Sequence, residues 1–372
     1  MNWRDIRHPE AGGAELYVHS LCSEFVKLGH EVCLYSSSFL GAKTKEEIDG
    51  VKIMRCGERF SVYWSVYVQY LKDRIKYDVV LESINTIPFF IPLYAVQPVV
   101  PLIYSINNGR ALMKELGITP VSLVGWLGNF LIPIIYRRAV VVTISETSKE
   151  ELVAAGFDAS RVFVAKPGVG IDFERLVKII PESTRPNYRI VYLGRLKKYK
   201  GIDILLQAVA ILRRSLPIEL LIVGKGDYES QLRRKVAEIG LTDCVQFTGF
   251  VSEEEKVILL KSSSVFVCCS IDEGGWTIAG LEALRCGVPL VVTDSQRDLV
   301  QEGITGFITP PQPEIVADRI RIVLGRDWKS MSIASRRLSA GITWKNSAMV
   351  ALKGLNSAIN KYHLNVIARH RN

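Results

Sequence analysis

The chain is 372 residues long, more than one hydrophobic core usually supports, and its 48% hydrophobic and 23% charged residues exclude a disordered protein, so two folded domains are the default. Seven scattered cysteines without a C-x-x-C pair argue against a disulfide framework or a zinc cluster; with the polar start Met1-Asn2-Trp3-Arg4-Asp5, which is no signal peptide, they lead us to expect a cytoplasmic protein. The net charge of +9 is uneven, +1 over residues 1–180 and +8 over 181–372, so the second half suits either an anionic ligand or a solvated basic face.

In chain order, the first feature is the glycine-rich turn His8-Pro9-Glu10-Ala11-Gly12-Gly13 ahead of the amphipathic stretch Ala14–Leu28. A parallel sheet normally opens with a strand before such a turn, and only a few polar residues precede this one. The expectation is a first sheet whose opening strand is missing from this start, or a sheet short by one. Apolar, β-branched runs at Glu31–Tyr35, Val79–Leu81, Val99–Ile103 and Val140–Ile144 read as strands. Ile118–Tyr136 is strongly apolar, but Pro120, Gly125, Gly128 and Pro133 interrupt it, so it reads as a buried or interfacial helix and not as a membrane span. Phe60, Tyr63, Trp64, Tyr67, Tyr70, Lys72, Arg74 and Lys76 could face a membrane surface or belong to an ordinary helix packed on the sheet.

The turn formers of Lys166–Tyr188 mark the domain boundary. Beyond it, strands at Arg189–Leu193, Leu220–Val223, Val265–Cys268 and Leu290–Val292 alternate with helices at Ile202–Ser215, Tyr228–Ile239 and Ile278–Cys286, and a long amphipathic segment runs from Trp344 to about Tyr362. Continuous apolar strands separated by helices indicate an α/β, doubly wound architecture whose parallel sheets are buried on both faces. The divisions expected are 1–168, 169–345 and a C-terminal helix and tail over 346–372.

Three strand-end segments carry chemistry. Tyr192-Leu193-Gly194-Arg195-Leu196-Lys197-Lys198-Tyr199-Lys200-Gly201 runs from a strand through a glycine turn to a helix start. Open parallel sheets bind ligands at the C-terminal ends of their strands, and a helix N-terminus attracts phosphate. Arg195, a planar fork, and Lys200, a mobile point charge, together suit a diphosphate; the alternative is a solvated basic loop. Next comes Gly224-Lys225-Gly226-Asp227, a strand-to-glycine turn without the third glycine of a dinucleotide fingerprint, and no P-loop pattern occurs anywhere. The turn Phe247-Thr248-Gly249-Phe250 could wall a base pocket. Last is Cys269-Ser270-Ile271-Asp272-Glu273-Gly274-Gly275-Trp276-Thr277-Ile278 and its helix, in which Glu282 lies among apolar neighbours. A carboxylate there needs a partner. A pair of ribose hydroxyls or a salt bridge, for instance to Arg285, would serve.

These motifs, in this order, resemble the retaining glycosyltransferases of family 4, the group 1 enzymes that include glycogen-synthase-like and mannosyltransferase-like members. The resemblance rests on Gly194-Arg195 with Lys200-Gly201, on Gly224 and Gly226, on Phe247-x-Gly249, and on Glu273 and Glu282 followed by Ala283, Cys286-Gly287 and Pro289. Trp3-Arg4-Asp5 with His8–Glu15 looks like the family's N-terminal glycine loop, and Lys166–Asp172 like its interdomain turn. The resemblance implies a GT-B fold: two Rossmann-like domains facing across a cleft, the last helix crossing back. It implies transfer of a hexose from a nucleotide-diphosphate sugar to a glycan or lipid-linked acceptor, with retention and no metal or other cofactor. Separately, basic residues that cluster at strand ends argue against nucleic acid, and the aromatic and basic residues around Trp64 leave open a peripheral contact with the cytoplasmic membrane face. By that resemblance Arg195, Lys200 and Glu273 are catalytic. Gly12, Gly13, Gly194, Gly224, Gly226, Phe250, Gly274, Gly275, Trp276, Thr277, Ile278 and Glu282 bind the donor, Glu282 through its ribose.

Two departures stand out. The family spaces its carboxylates with seven intervening residues, whereas eight separate Glu273 from Glu282, so alignment from Glu282 puts Gly274 in the first position unless a bulge restores Glu273. A first-domain histidine of the family is replaced by Tyr104-Ser105-Ile106-Asn107-Asn108, and neither Asn107 nor Asn108 can act as acid or base. The alternatives these leave open are a GT-B nucleotide-sugar epimerase and a binding subunit that keeps the fold without turnover.

Overall fold

The computed structural model describes residues 1–58, 61–85, 87–106, 127, 130–181, 188–271 and 276–369, the side chains of residues 75 and 365–369 excepted. The protein divides into two compact units: Met1–Pro167 with Thr343–Asn372, and Gly168–Ile342. The last helix thus belongs with the N-terminal residues.

In the first unit, the order is α1 (Gly13–Lys27), β1 (Cys33–Ser36), β2 (Lys45–Ile48), β3 (Val51–Arg55), α2 (Ser61–Asp73), β4 (Val80–Ile84), β5 (Val99–Ile103), β6 (Val141–Thr143), α3 (Glu146–Ala154) and β7 (Val162–Val164). The strands pair as β1-β3-β2 and as β4-β5-β6-β7, all parallel except the β2–β3 hairpin. Met1–Trp3 lie between β1 and β4. On one side the Asn2 amide donates to the Tyr35 carbonyl at 3.0 Å, and the Ser37 amide to that of Trp3 at 2.9 Å. On the other, the Met1 amino group donates to the Leu81 carbonyl at 2.6 Å, and the Ser83 amide to that of Met1 at 2.9 Å. Three residues therefore stand in the place of an opening strand.

The turn that follows is anchored from below. Asp5 is fully buried and takes two hydrogen bonds from the Arg55 guanidinium, at 2.6 and 2.9 Å, plus one from the Ser36 hydroxyl at 3.1 Å. The Arg55 and Ser36 donors hold the Asp5 carboxyl below its usual range against the opposing effect of burial, as expected for a bidentate pair. A second buried carboxylate, Glu82 on β4, accepts from the Tyr136 hydroxyl at 2.9 Å and from the Phe89 amide at 2.6 Å. Burial pushes its pKa up to about 7 against the pull of Tyr136, the Phe89 amide and the nearby Met1 amino group.

The second unit contains α4 (Ile171–Ile179), β8 (Arg189–Leu193), α5 (Ile202–Arg213), β9 (Glu219–Val223), α6 (Glu229–Glu238), β10 (Val245–Gly249), α7 (Glu253–Lys261), β11 (Val265–Cys268), α8 (Ile278–Arg285), β12 (Leu290–Thr293), β13 (Gly306–Thr309), α9 (Pro313–Gly325) and α10 (Trp328–Ala340). Its six-stranded parallel sheet has the order β10-β9-β8-β11-β12-β13, the doubly wound Rossmann order. β11 and β12 are buried along their whole length, the reason they read as unbroken apolar runs. α5 buries Ile202, Leu205, Leu206, Val209 and Leu212, a helical stripe against the sheet. α4 occupies part of the stretch read as a turn-rich boundary. Its last carbonyls are closed by the Lys261 ammonium, 2.8 Å from Val177 and 2.5 Å from Ile180, so a lysine on a distant helix caps the C-terminal end of α4.

The last helix, α11 (Trp344–Arg369), returns to the first unit. Trp344 packs edge-on against Tyr17 of α1 with ring centroids 5.4 Å apart, and Gly354 brings the helix against Phe163 and Val142. Among the described residues no helix is long and apolar enough to cross a membrane.

Candidate functional site

The polypeptide enters the second sheet at β8, builds outward to β10, then crosses back through α7 to β11 on the other side of β8. The strand order therefore reverses between β8 and β11, and in such sheets the ligand crevice lies beyond the strand ends at that point. The loop after β8 is Gly194–Gly201, and the loop after β11 runs from Cys269 to Thr277; these are the segments singled out in the sequence.

Backbone contacts join the two loops. The Ile271 amide donates to the Tyr199 carbonyl at 2.8 Å. Gly201 sits at φ 65°, ψ 26°, and a Cβ there would lie 2.1 Å from the Cys269 carbonyl oxygen, so only glycine fits. With glycine at its N-cap, α5 begins without a side-chain hydrogen bond to its first amides. Arg195 is exposed and reaches the Tyr199 hydroxyl at 3.4 Å, while the Lys200 ammonium lies 5.4 Å from the centre of the Tyr199 ring. Two cations thus flank one ring beside an open helix start. Of the loop's other lysines, Lys197 is engaged with Asp227 at 2.6 Å.

The glycines after β9 have a different reason to exist. A Cβ on Gly224 would lie 2.0 Å from the Gly194 carbonyl oxygen, and one on Gly226 would lie 2.1 Å from that of Leu196. The Leu196 amide donates to the Lys225 carbonyl at 2.9 Å, and the Gly224 amide to that of Gly249 at 2.8 Å. Gly224 and Gly226 are therefore required by loop-on-loop packing, whatever else they approach. Beyond Gly249, Phe250 stands 81% exposed.

The loop after β11 is only partly described. Glu273, Gly274 and Gly275 lie outside the described residues, as do Asn107 and Asn108. Its two ends are described. The Ser270 carbonyl is braced by the Thr293 hydroxyl at 2.6 Å, and Trp276 is buried. Thr277 caps α8 with its backbone only, and Ile278 opens the helix half-buried.

Glu282, one turn into α8, is 7% exposed. Its partner is the Lys256 ammonium of α7, 3.0 Å from Oε1, which also contacts Glu253 at 2.7 Å. Arg285 is not that partner: it bonds Glu174 of α4 at 3.0 Å and the Ile342 carbonyl at 3.0 Å. Burial lifts the Glu282 pKa to about 7 against the pull of Lys256, and the pair raises that of Lys256. Lys256 was not visible in the sequence, because it stands 26 positions before Glu282 in a run of charges, Glu253-Glu254-Glu255-Lys256, that looks like a solvated face.

In the first unit, Gly12 precedes α1, and its amide donates to the Glu15 carboxylate at 2.8 Å. Gly13 is exposed, with open space where a Cβ would stand. Crowding inside the protein therefore does not demand glycine at position 13. Among the described residues no group of three or more His, Cys, Asp or Glu side chains is placed to hold a metal ion.

Comparison with known proteins covers both units. The profile of Glycosyltransferase Family 4 matches residues 11–173, and that of Glycosyl transferases group 1 matches residues 174–336. A GDP-mannose-dependent alpha-(1-6)-phosphatidylinositol monomannoside mannosyltransferase from Mycolicibacterium smegmatis is 27% identical, over 86% of this protein and 91% of its own length. The amylovoran biosynthesis glycosyltransferase AmsK of Erwinia amylovora is 28% identical over 47% of this protein, a match that spans only 44% of that relative. Among solved structures, the sucrose-phosphate synthase of Thermosynechococcus elongatus superposes with a TM-score of 0.74 at 18% identity, covering 98% of this protein and 96% of that one.

Proposed function

The chain belongs to the group 1 glycosyltransferases of family 4 and has the GT-B fold, and on that premise we propose that it transfers a hexose from a nucleotide-diphosphate sugar to a glycan or lipid-linked acceptor, with retention of anomeric configuration. The observation that carries the proposal is the convergence of Arg195, Lys200 and the uncapped start of α5 at the point where the strand order reverses. There the bond between the sugar's anomeric carbon and the β-phosphate oxygen breaks as the acceptor hydroxyl oxygen bonds to that carbon, and the hydroxyl proton passes to the departing phosphate oxygen. The negative charge that builds on the departing diphosphate is met by the guanidinium, the ammonium and the helix amides. No metal is required in this reading, since two cations already stand where one would act.

Glu282 accepts hydrogen bonds from the ribose, and Phe250 offers a face for the base. The nucleotide dependence stated in the name of the Mycolicibacterium relative agrees in kind. An acceptor on a lipid is supported by the first unit's surface. Trp64 and Leu93 are each 69% exposed, Phe130 is 60% and Ile134 is 58%, with Lys72, Arg74, Lys76, Arg137 and Arg138 among their neighbours in sequence.

Product analysis tests the assignment. Free nucleoside diphosphate should form only when acceptor is present and should persist in EDTA; an isomerised nucleotide sugar formed without acceptor would instead identify an epimerase. Arg195→Ala and Lys200→Ala should each lower kcat by about 100-fold or more. Normal turnover in both would refute the site.

A further inference from the structure

We infer that Lys256 is a positioning residue of the donor site: it pins one oxygen of Glu282 and leaves the other open to the ribose, so ribose recognition depends on a lysine outside every motif. The inference rests on the reading of Glu282 as the ribose ligand.

Three observations carry it. First, the pair is buried, with the Glu282 side chain 9% and the Lys256 side chain 16% exposed, and 3.0 Å separates Nζ from Oε1. Second, Oε1 is the only oxygen of Glu282 with a hydrogen-bond partner among the described residues. Third, Lys256 lies on the ligand side of the fold. It clusters with Val191, Leu193, Val223, Leu259 and Leu260 beside the C-terminal ends of β8 and β9. The ammonium stands 5.5 Å from the centre of the Phe173 ring of α4, which limits where it can swing. A helix tie alone would not need the charge; ribose recognition does, since the open oxygen accepts from ribose hydroxyls on all its lone pairs only while the carboxyl keeps its negative charge.

The charged groups around Glu282 make the expected pH behaviour specific. From α7 come Lys256, which favours the anion, and Glu253, which opposes it. Beyond the end of α8 stands Cys286, its thiol pushed up to about 12 by burial and so neutral, with Arg336 of α10 beside it. Arg285 is turned away to Glu174 of α4. Lys256 is thus the cation that contacts the carboxylate. Removing it takes away the group that favours the anion, so the carboxyl stays protonated to higher pH and offers its ribose partner one acceptor fewer.

The test compares UDP and GDP with their 2′,3′-dideoxy forms by calorimetric titration at pH 7 and pH 9. In the wild-type protein the ribonucleotide should bind more tightly by about tenfold or more, the worth of a hydrogen bond to a charged group. Lys256→Met should lose that preference at pH 7 and regain part of it at pH 9, whereas Lys256→Arg should keep it at both. Should Lys256→Met fail to fold, Lys256→Gln, which retains a donor without the charge, should show the same loss. If either neutral variant keeps the wild-type ratio at pH 7, the inference is overturned. Glu282→Gln separates the two layers of the argument: a wild-type ribose preference in that variant overturns the ribose role itself. Loss there, with no loss in Lys256→Met, overturns only the role of the lysine.

Discussion

Gly201→Ala is the perturbation whose outcome the coordinates determine most directly. Gly201 sits in the left-handed region at φ 65°, and a Cβ would stand 2.1 Å from the Cys269 carbonyl oxygen, against a floor of 3.0 Å for real contacts. The dihedral alone costs about 1–2 kcal/mol for alanine. The two strand-end loops must also separate by about 1 Å, and a backbone shift of that kind in a packed region costs about 1–3 kcal/mol. Together these make about 2–5 kcal/mol. For a unit of this size each kcal/mol is worth roughly 2–4 °C, so Tm should fall by roughly 4–20 °C. The same separation displaces Lys200, its neighbour in sequence, and a misplacement of about 1 Å at a charged contact should weaken UDP or GDP binding by tenfold or more. Scanning fluorimetry with and without each nucleotide reads both effects. Gly325→Ala, with nothing within 4 Å of its Cβ, is the control and should leave Tm unchanged or slightly raised. A Gly201→Ala protein that melts with the wild type and shows the wild-type nucleotide shift would refute the argument that loop contact shapes the site.

Glu82 gives a pH prediction: its folded pKa of about 7 lies above the ordinary value of 4.5, so the native state holds a proton that the unfolded state releases between those values. Stability should therefore fall as pH rises from about 4.5 to 7 and level off above. Glu82→Gln, which keeps an acceptor for Tyr136 and Phe89, should flatten the part of a Tm-versus-pH curve due to this group; an unchanged slope would show that Glu82 is ionised in the fold. The exposed apolar residues of the first unit predict co-sedimentation with vesicles containing anionic lipid, weakened several-fold by Trp64→Ser with Phe130→Ser. Equal recovery of the wild type and the double variant would remove the lipid surface from the functional reading.

Much of the second unit was readable from its sequence, because strand, glycine turn and helix start are written within a dozen residues of one another. The place of Arg195 and Lys200, in the loop that follows β8, is legible in that way. The first unit was less legible. The β2–β3 hairpin is half-polar at its edge, and β7 is only three residues long, so neither makes an apolar run. Glycine patterns were legible as glycine but not as cause. Gly224 and Gly226 suggested an approach to a ligand, and the fold shows that a neighbouring backbone already demands them.

What the sequence determined alone is therefore local: where strands end, which loops carry cations, and that two parallel α/β units are present. Hydrophobic period and turn chemistry act over a few residues and are readable as such. Tertiary structure decided which strand ends are neighbours, that Met1–Trp3 stand between β1 and β4, that α11 belongs with the N-terminal residues, and that Glu282 pairs with Lys256 and not with the adjacent Arg285. Each of these is a choice among partners far apart in sequence. Which of them is made depends on how burial and charge balance once the sheets are assembled, not on the residues nearby.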